Sequence, residues 1–411
     1  MKYKIIVAHP ERQHSFKLAS ALKQNDCLFK YVTTVYDKEK AFNGYTVFPS
    51  AKGALLIDMN GREVQLWAGL GGFPNKILPG GYVMGTTGTR PGKKAYQDQI
   101  DLVQVDWEGN ILWSWRASDH FEQFGFDEAA RNALFRNPCL QGEAGGDWMH
   151  INSMSVLGEN KWYDQGDERF HPENIIIDGR NSNILAIISK KTGDIVWKLG
   201  PDFNESEATK KLGWIIGQHH LHMIPKGLPG EGDLLVFDNG GEGGYGVPNP
   251  GALTGVNNAR RDYSRVLQFN PVTLEITWQY TPQEAGHLLF TDASKFYSSY
   301  ISSAQRLPNR NTLITEGSDG RLIEVTPDHE IVWEYINPYF NTILGKFTNN
   351  MIYRAYRVPY EWIPQVEKPQ EISVEKINVE TFRVPGSLTG NQLGKITVIE
   401  GVDPNARLMT G

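Results

Sequence analysis

The sequence has little of several features that would narrow its class at once. Only two cysteines occur, Cys27 and Cys139, so no disulfide framework holds the fold together. The formal charge is −6 at pH 7, and a nucleic-acid-binding protein needs a basic surface, which excludes nucleic acid as the main partner. No stretch approaches the roughly 20 apolar residues of a membrane-spanning helix, so we expect no membrane partner.

The first residues also lack the apolar core of a signal peptide. They read MKYKIIVAHPERQHSFKLAS, and a short apolar run ends at His9, Pro10, Glu11 and Arg12. We therefore expect the chain as written to stay in the cytoplasm.

Helical patterns are scarce, whereas turn-forming and aromatic residues are abundant. The chain holds 42 Gly, 11 Trp, 17 Tyr and 18 Phe, a composition that favours an all-β protein. The one good helix candidate is DEAARNALFRN, residues 127–137.

One phrase recurs along the chain: a short apolar strand, a turn, and a second strand that contains a tryptophan. Turn chemistry and alternation make each copy a β-hairpin. The copies are LLIDMNGREVQLW (55–67), LVQVDWEGNILW (102–113), LAIISKKTGDIVW (185–197), VLQFNPVTLEITW (266–278) and LIEVTPDHEIVW (322–333). Five copies indicate a repeat architecture.

A second pair of strands precedes most copies of this hairpin. These pairs lie at 73–88, 150–158 with 173–180, 219–240 and 302–317. Four antiparallel strands per unit, repeated with insertions, are typical of propeller blades. We predict a β-propeller of about five complete blades, closed by pairing of the 43–69 region with the strand-like segment 351–359.

Two segments fall outside the repeat, so we divide the chain into 1–40, the propeller 41–364 and an extension 365–411. Residues 1–40 read as strand, helix and strand, and resemble the opening of a family-4 glycosyltransferase; 40 residues cannot build that enzyme. We expect this segment to be weakly packed and dispensable. The polar residues after Pro364 are expected to form a loosely attached extension.

Histidines concentrate on two of the predicted innermost strands. In a propeller the innermost strands line the central channel, and here they carry His150 with Asn152, and Gln218 with the histidines at 219, 220 and 222. Alternation places Gln218, His220 and His222 on one face and His219 on the other. A lone histidine on a strand is commonly structural, but clustering on adjacent inner strands favours a site. The same histidines could instead hold a transition metal.

Arg180, in IIIDGRN, ends the second strand of the His150 blade. An arginine there could be a surface turn residue, yet its planar donors also suit a tetrahedral oxyanion. Histidine with arginine, without paired carboxylates, favours transfer of an anionic group over glycoside hydrolysis. The Gly-rich segment 237–246 is not a phosphate loop, because no Lys-Ser/Thr follows.

At these residues the sequence resembles the bacterial arylsulfotransferases that do not use 3′-phosphoadenylyl sulfate. The resemblance spans about residues 41–364. The phrases that carry it are DWMHINSMSVLG (147–158), IIIDGRN (175–181), IIGQHHLHMIPKGLPGEGDLLVFDNGG (215–241), DYSRVLQFNP (262–271), SSAQRLPNRNTLITEGSDGRLIEVTPDHEIVWEY (302–335) and NMIYRAYRVP (350–359). Relatives are often exported.

The resemblance implies a six-bladed propeller that moves a sulfuryl group from an aryl sulfate to a phenol through a sulfohistidine. It implies His219 as nucleophile, with His220 as the competing choice. It implies His150 as the acid and base on the phenol oxygen, and Arg180 as the holder of the sulfuryl oxygens. We further predict that substrate contacts Asn152, Gln218, His222 and Arg306, with no cofactor and no metal.

One departure from the family affects this interpretation. The family has a further active-site histidine in a His-His-Asp segment of an earlier blade, and here only His120, in a different context, lies between Trp67 and Asp147. Relative to the family, the sequence between Trp67 and Asp147 is interpreted as lacking a whole blade. The alternative function is therefore an impaired propeller that serves as a binding scaffold. A quinone-dependent dehydrogenase, the third possibility, would need a metal-binding carboxylate set that the sequence does not show.

Overall fold

The computed structural model describes residues 5–6, 28–30, 33–86, 102–106, 108, 110–136, 147–247, 258–343 and 347–376. Strands dominate these ranges, and the α-helices within them are short: Glu128–Arg136 (α1), Lys161–Asp164 (α2), Glu207–Leu212 (α3) and Leu289–Asp292 (α4). The predicted helix over 127–137 is α1. None of the helices in these ranges is long and apolar enough to cross a membrane.

The strands carry the architecture. In chain order they are Ile5–Ile6 (β1), Leu28–Lys30 (β2), Val35–Tyr36 (β3), Tyr45–Ser50 (β4), Gly53–Ile57 (β5), Glu63–Ala68 (β6), Gly71–Leu78 (β7), Tyr82–Thr86 (β8), Leu102–Val105 (β9), Ile111–Trp115 (β10), Ile151–Val156 (β11), Ile175–Gly179 (β12), Ile184–Ile188 (β13), Ile195–Leu199 (β14), His219–Met223 (β15), Leu234–Asp238 (β16), Arg265–Phe269 (β17), Ile276–Tyr280 (β18), Ser303–Arg306 (β19), Thr312–Glu316 (β20), Arg321–Val325 (β21), Ile331–Ile336 (β22), Asn341–Ile343 (β23), Phe347–Asn349 (β24) and Tyr356–Val358 (β25).

Four antiparallel blades stand in a ring, which confirms the predicted β-propeller. Their strand orders are β25-β4-β5-β6, β11-β12-β13-β14, β15-β16-β17-β18 and β19-β20-β21-β22, with β3 added outside β22. The first strands of the last three blades contact each other from blade to blade, as the innermost strands of a ring do. They are the strands that the sequence pattern predicted to be innermost.

The recurrent tryptophans join neighbouring blades. The indole N–H of Trp197 donates to the carbonyl of Pro271 at 2.8 Å, in the outer turn of the next blade. Trp278 donates to Pro327 at 3.1 Å in the same way. Each bond satisfies the polar end of a large ring whose body packs between blades, so the repeated tryptophan sets the spacing from one blade to the next.

Between the first blade and β11 the predicted regularity ends. Here β7 pairs with β8, and β9 with β10, as two separate two-stranded sheets. Within the described residues four blades are complete, one fewer than the predicted number of about five. In β10, Trp115 donates its indole N–H at 2.9 Å to Gly193, in the turn between β13 and β14, and packs into the core of the β11–β14 blade, as Trp197 and Trp278 do with the blades that follow them. That contact holds the β9–β10 hairpin on the following blade.

The ring closes as predicted. Strand β25 pairs antiparallel with β4, so that the two ends of the repeat region share one blade. Arg357 of β25 is fully buried, and its guanidinium donates to Thr46 Oγ1 at 2.6 Å, to the Phe42 carbonyl at 2.7 Å and to Glu324 at 3.1 Å. Trp333 adds the tryptophan contact of the last blade to the first, through the Met59 carbonyl at 2.7 Å.

The expectation of a weakly packed N-terminal segment is wrong for residues 33–36, which are buried. Tyr36 in β3 is 1% exposed, pairs with Trp333 of β22 and joins the core between the last and first blades. Strands β1 and β2 pair in parallel, as in a β-α-β unit, while the predicted helix between them lies outside the described residues.

The first part of the C-terminal extension is also bound to the propeller rather than loosely attached. Val374 and Tyr36 exchange backbone hydrogen bonds of 2.8 Å, and Glu371 accepts the Tyr36 hydroxyl at 2.8 Å and the Met59 amide at 2.9 Å. Residues 377–411 lie outside the described ranges.

These contacts reverse the expected effect of removing residues 1–40. The deletion should lower the melting temperature by roughly 5 °C or more, because it removes the buried Tyr36 ring and the strand that carries it. Tyr36→Ala in the full chain should reproduce most of the loss, whereas Tyr82→Ala, at a position 71% exposed, should not. Thermal unfolding followed by circular dichroism measures all three, and an unchanged melting temperature after the deletion would contradict the packing described above.

Candidate active site

The ends of three inner strands meet at one place in the ring. Asn152 of β11 donates its side-chain N–H to the carbonyl of Gln218, just before β15, at 3.0 Å. The Asn152 carbonyl accepts the hydroxyl of Tyr353 at 3.2 Å and Nη2 of Arg354 at 3.4 Å, both on the segment that leads into β25. These contacts bring residues from three blades together.

His219, the first residue of β15, lies at the centre of this junction and is 2% exposed. Its Nδ1–H donates to Asn239 Oδ1 at 2.8 Å, which leaves the lone pair on Nε2. Nε2 accepts the backbone N–H of Ile301 at 3.1 Å, so both ring nitrogens have partners. Burial, together with the charges of Arg180, Arg354 and His150, lowers the pKa of His219 to about 3, although the hydrogen bond to Asn239 acts in the opposite direction. The ring is therefore neutral, and these three groups lie within electrostatic reach of it.

The Gly-rich segment 237–246 positions Asn239 for this contact. Asn239 also donates to the carbonyls of Ser298 and Ile301, at 2.6 and 2.8 Å. Gly240 follows it at a φ of +75°, where a Cβ would lie 2.0 Å from the carbonyl oxygen of Tyr263. Glycine is required at this point, and the segment serves to hold a histidine.

His150 stands immediately before β11 and is accessible, its side chain 43% exposed. Its Nδ1 lies 2.5 Å from Oδ2 of Asp147, so the carboxylate accepts Nδ1–H and leaves Nε2 as the proton-exchanging nitrogen. His150 adopts a φ of 47°, a conformation that non-glycine residues hold only where the surroundings enforce it. Sequence reasoning missed Asp147, although the i, i+3 spacing in Asp-Trp-x-His was its signal.

Arg180 reaches the same region from the end of β12. Its backbone N–H donates to the His150 carbonyl at 3.2 Å, and Nη1 donates to Asn181 Oδ1 at 2.8 Å. Asn181 in turn donates to the Asp147 carbonyl at 2.7 Å. Burial lowers the pKa of Arg180, while the charges of Asp147 and Glu242 raise it, so the guanidinium is partly enclosed beside the His150–Asp147 pair.

The remaining predicted residues divide between the junction and other places. Gln218 is fully buried and donates to the carbonyls of Gly179 and Ile184 at 3.0 and 3.1 Å, which ties β15 to the preceding blade. The rings of His220 and His222 lie 4.4 Å apart, centroid to centroid, on one face as predicted, and Nε2 of His220 lies 3.3 Å from the Tyr356 hydroxyl. Burial lowers the pKa of both histidines, that of His222 to about 4.

Two residues lie apart from the junction. Arg306 donates to the Arg310 carbonyl at 2.7 Å and to Gln268 at 2.5 Å and lies over the Trp278 ring. His120 stacks on Trp115, with 5.3 Å between the ring centroids. Within the described ranges, no three His, Cys, Asp or Glu side chains form a group that could hold a metal ion.

The comparisons with known proteins identify the family of this chain. The family model described as Arylsulfotransferase (ASST) matches residues 78–354, more than half of the chain. The chain belongs to the arylsulfotransferase family. The match covers three complete blades and every predicted site residue, and its family supports aryl sulfotransfer in the broad sense, with aryl sulfates and phenols as the implied substrates. No curated protein matches this arylsulfotransferase.

Among solved structures, the arylsulfotransferase chain is similar to a protein of unknown function from Bacteroides caccae, at 14% identity over 76% of this chain and 82% of that one, with a TM-score of 0.31. It is also similar to virginiamycin B lyase from Staphylococcus aureus, in a catalytically inactive form with quinupristin, at 10% identity over 74% and 73% of the two chains, with a TM-score of 0.26. Likenesses this distant carry no inference about function.

The buried histidines predict a loss of stability at acid pH. In the unfolded chain a histidine has a pKa near ~6.5, whereas in the fold the pKa of His219 is about 3 and that of His220 is well below its ordinary value. As the pH falls below ~6.5, the unfolded state takes up protons that the folded state does not, so the free energy of unfolding falls. The urea midpoint should drop across this window, and less so in His220→Gln.

Asp178 supplies an internal control for that measurement because it acts in the opposite direction. Burial raises its pKa to about 6, so the folded state takes up this proton first and gains stability as the pH falls towards ~3.9. Asp178→Asn removes that gain and should make the acid loss steeper. A urea midpoint that stays level from pH 7 to pH 4 in all three proteins would contradict the buried, neutral histidines.

Proposed function

We propose that this arylsulfotransferase moves a sulfuryl group from an aryl sulfate to a phenol through a sulfohistidine at His219, without 3′-phosphoadenylyl sulfate. The observation that carries the proposal is the anchoring of His219 Nδ1–H on Asn239. That bond directs the only lone pair of the ring to Nε2. The nearby charges of Arg180, Arg354 and His150 suit an anionic substrate group.

The first half-reaction would form the sulfohistidine. The Nε2 lone pair of His219 attacks sulfur, the bond from sulfur to the aryl oxygen breaks, and the phenolate leaves with that electron pair. Protonated His150 gives a proton to the departing oxygen when the phenolate is a poor leaving group. Arg180 donates to the sulfuryl oxygens throughout.

The second half-reaction returns the enzyme to its starting state. Nε2 of His150 takes the hydroxyl proton of the incoming phenol, and the phenol oxygen attacks sulfur. The nitrogen–sulfur bond breaks, with its electron pair returning to His219. Asp147 keeps Nδ1 of His150 protonated, so that Nε2 is the nitrogen that exchanges protons in both directions.

Attack by His219 requires the Ile301 amide to leave Nε2. Ile301 and Ser302 have φ values of 55° and 94°, a region that non-glycine residues occupy at an energetic cost. A shift of this short segment would relieve the strain and expose the lone pair at the same time.

The hydrogen bond from the Ile301 amide to Nε2 of His219 also favours the alternative function. A histidine that is 2% exposed and bonded at both nitrogens suits a structural role, and His120 does not replace the further family histidine. In that case the propeller would be a binding scaffold for phenolic compounds or a protein partner. Detection of the covalent intermediate separates the two.

Exposure to 4-nitrophenyl sulfate without acceptor should leave a sulfuryl group on the peptide 215–225. We expect the label in the wild-type protein and in His220→Asn and its loss in His219→Asn, measured by mass spectrometry after quenching. Because the pKa of His219 is about 3, its neutral form should persist from pH 8 to pH 5. Label retained in His219→Asn but lost in His220→Asn would assign the nucleophile to His220. A wild-type chain that binds phenols and never acquires label would favour the scaffold.

Variants of the two supporting residues should differ in their dependence on the leaving group. Arg180→Met should lower kcat/KM by roughly 10²–10³ for any aryl sulfate, because it removes a charged donor from the sulfuryl oxygens. His150→Ala should matter little for 4-nitrophenyl sulfate and much more for phenyl sulfate, whose phenolate needs a proton. Release of the phenol is the measurement, and Arg306→Met is the matched control. Equal losses in His150→Ala with both donors would contradict the proton-transfer role.

A further inference from the structure

Arg354 is a buried arginine with unusually weak partners. It is 5% exposed, and its two hydrogen bonds, from Nη1 to the Tyr356 hydroxyl and from Nη2 to the Asn152 carbonyl, are both 3.4 Å long. Its Nε has no hydrogen-bond partner among the described residues, and no carboxylate within the same ranges forms an ion pair with it. N–H···O bonds in proteins are commonly near ~2.9 Å, so this guanidinium is poorly satisfied.

Other buried arginines of the chain are compensated. Arg357, three residues further on, pairs with Glu324 at 3.1 Å and makes two shorter bonds besides. Arg321 pairs with Glu316 at 3.1 Å and with Glu334 at 2.6 Å. A buried charge that lacks a partner destabilises the fold. The weakly bonded Arg354 therefore stands out against its own neighbours.

Arg306 is the nearest comparison, since it too has no direct carboxylate contact in the described ranges. Its charge is balanced through Gln268, which bonds Arg306 at 2.5 Å and Asp233 at 2.7 Å, and by the Trp278 ring beneath it. Arg354 also lies over an aromatic ring, 5.5 Å from the centroid of Tyr353, but within the described ranges no side chain links it to a carboxylate as Gln268 links Arg306 to Asp233. The two hydrogen bonds of Arg354 go to neutral oxygens.

The charge of Lys76 adds to that of Arg354 around β15, whose three histidines are neutral because their pKa values are lowered. Arg354 lowers the pKa of His219, His220 and His222, so it lies within reach of all three, and Lys76 lowers the pKa of the last two as well. The charge of Arg354 also lowers the pKa of Asp178. The carboxylate oxygens of Asp178, however, already accept the Ser153 hydroxyl and the Leu221 N–H. The local field therefore favours an anion from outside the chain.

We propose that Arg354 is an anion-binding residue of the channel and holds the sulfate group of an aryl sulfate as a second guanidinium beside Arg180. The choice of ligand rests on the proposed function, whereas the binding of a sulfonate or sulfate group does not depend on any transfer. Three oxygens share the negative charge of that group. A second guanidinium can donate hydrogen bonds to the oxygen lone pairs that a single arginine does not reach.

The test uses the full chain and 4-nitrobenzenesulfonate, whose carbon–sulfur bond cannot take part in transfer. Arg354→Met should weaken its binding by roughly 10- to 100-fold in isothermal titration calorimetry, because a charged donor is lost. Without ligand, the same variant should melt at the wild-type temperature or higher, because a methionine replaces an uncompensated charge. Arg306→Met should keep the wild-type affinity.

Each other outcome has a definite meaning. Wild-type affinity in Arg354→Met, or a fall in its melting temperature as large as that of Arg357→Met, would overturn the assignment and make Arg354 structural. If Arg354→Met does not fold, Arg354→Lys keeps the charge without the planar donors and should still bind more weakly; unchanged affinity would again overturn it. Sulfonate binding that depends on Arg354 in a protein that never forms the sulfuryl label would reject the transfer reaction alone.

Discussion

The indole hydrogen bond between neighbouring blades is the contact on which the ring depends. A single four-stranded sheet buries one face only when another sheet covers it, so each blade is stable only beside the next. The tryptophan near the outer edge of one blade reaches the outer turn of the following blade, from Trp197 to Pro271 and from Trp278 to Pro327. Trp333 makes the same contact with Met59, across the point where the chain ends meet.

Closure at that point also builds the centre of the molecule. Strand β25 completes the first blade, and the residues just before it, Tyr353 and Arg354, extend from there to Asn152 on a blade that precedes them by about 200 positions. The site therefore depends on long-range geometry. A ring that failed to close would lose these contacts even though each blade could keep its own pairing.

The sequence repeats made the blades and their inner strands predictable. Tryptophan-marked hairpins identified the blades, and the apolar segments before them identified the inner strands that carry His150 and His219. The separation of β7–β8 from β9–β10 was not predictable, because both hairpins carry the repeat pattern. In β10 the repeat position is that of Trp113, whereas Trp115, two residues on, makes the contact with Gly193. The strand expected at the end of the 1–40 segment contains β3, but its pairing with β22 was not predicted, because two residues at the outer edge of a blade leave no signal in the repeat pattern.

The sequence predicted parts of the candidate site whose residues lie close together in the chain. Residues near one another in the chain, such as Asp147 and His150 or Arg180 and Asn181, leave a signal in spacing. Contacts that cross the channel do not: nothing in the sequence around Arg354 or Ile301 shows that they lie beside His219. Arg306 illustrates the reverse case, since its position in a matching phrase placed it with the substrate, whereas Gln268 and Arg310 hold it elsewhere.

Strand β3 has a consequence for the behaviour of the molecule in a crowded solution. The outermost strand of a blade offers a row of unpaired backbone donors and acceptors, which another chain can extend into a shared sheet. On the last blade, Val35 and Tyr36 pair with Glu334 and Trp333 of β22, and Val374 covers Tyr36 in turn. Strand β3 and the segment around Val374 thus shield the seam of the ring from edge-to-edge association, at the place where pairing with a neighbouring molecule would also disturb its closure.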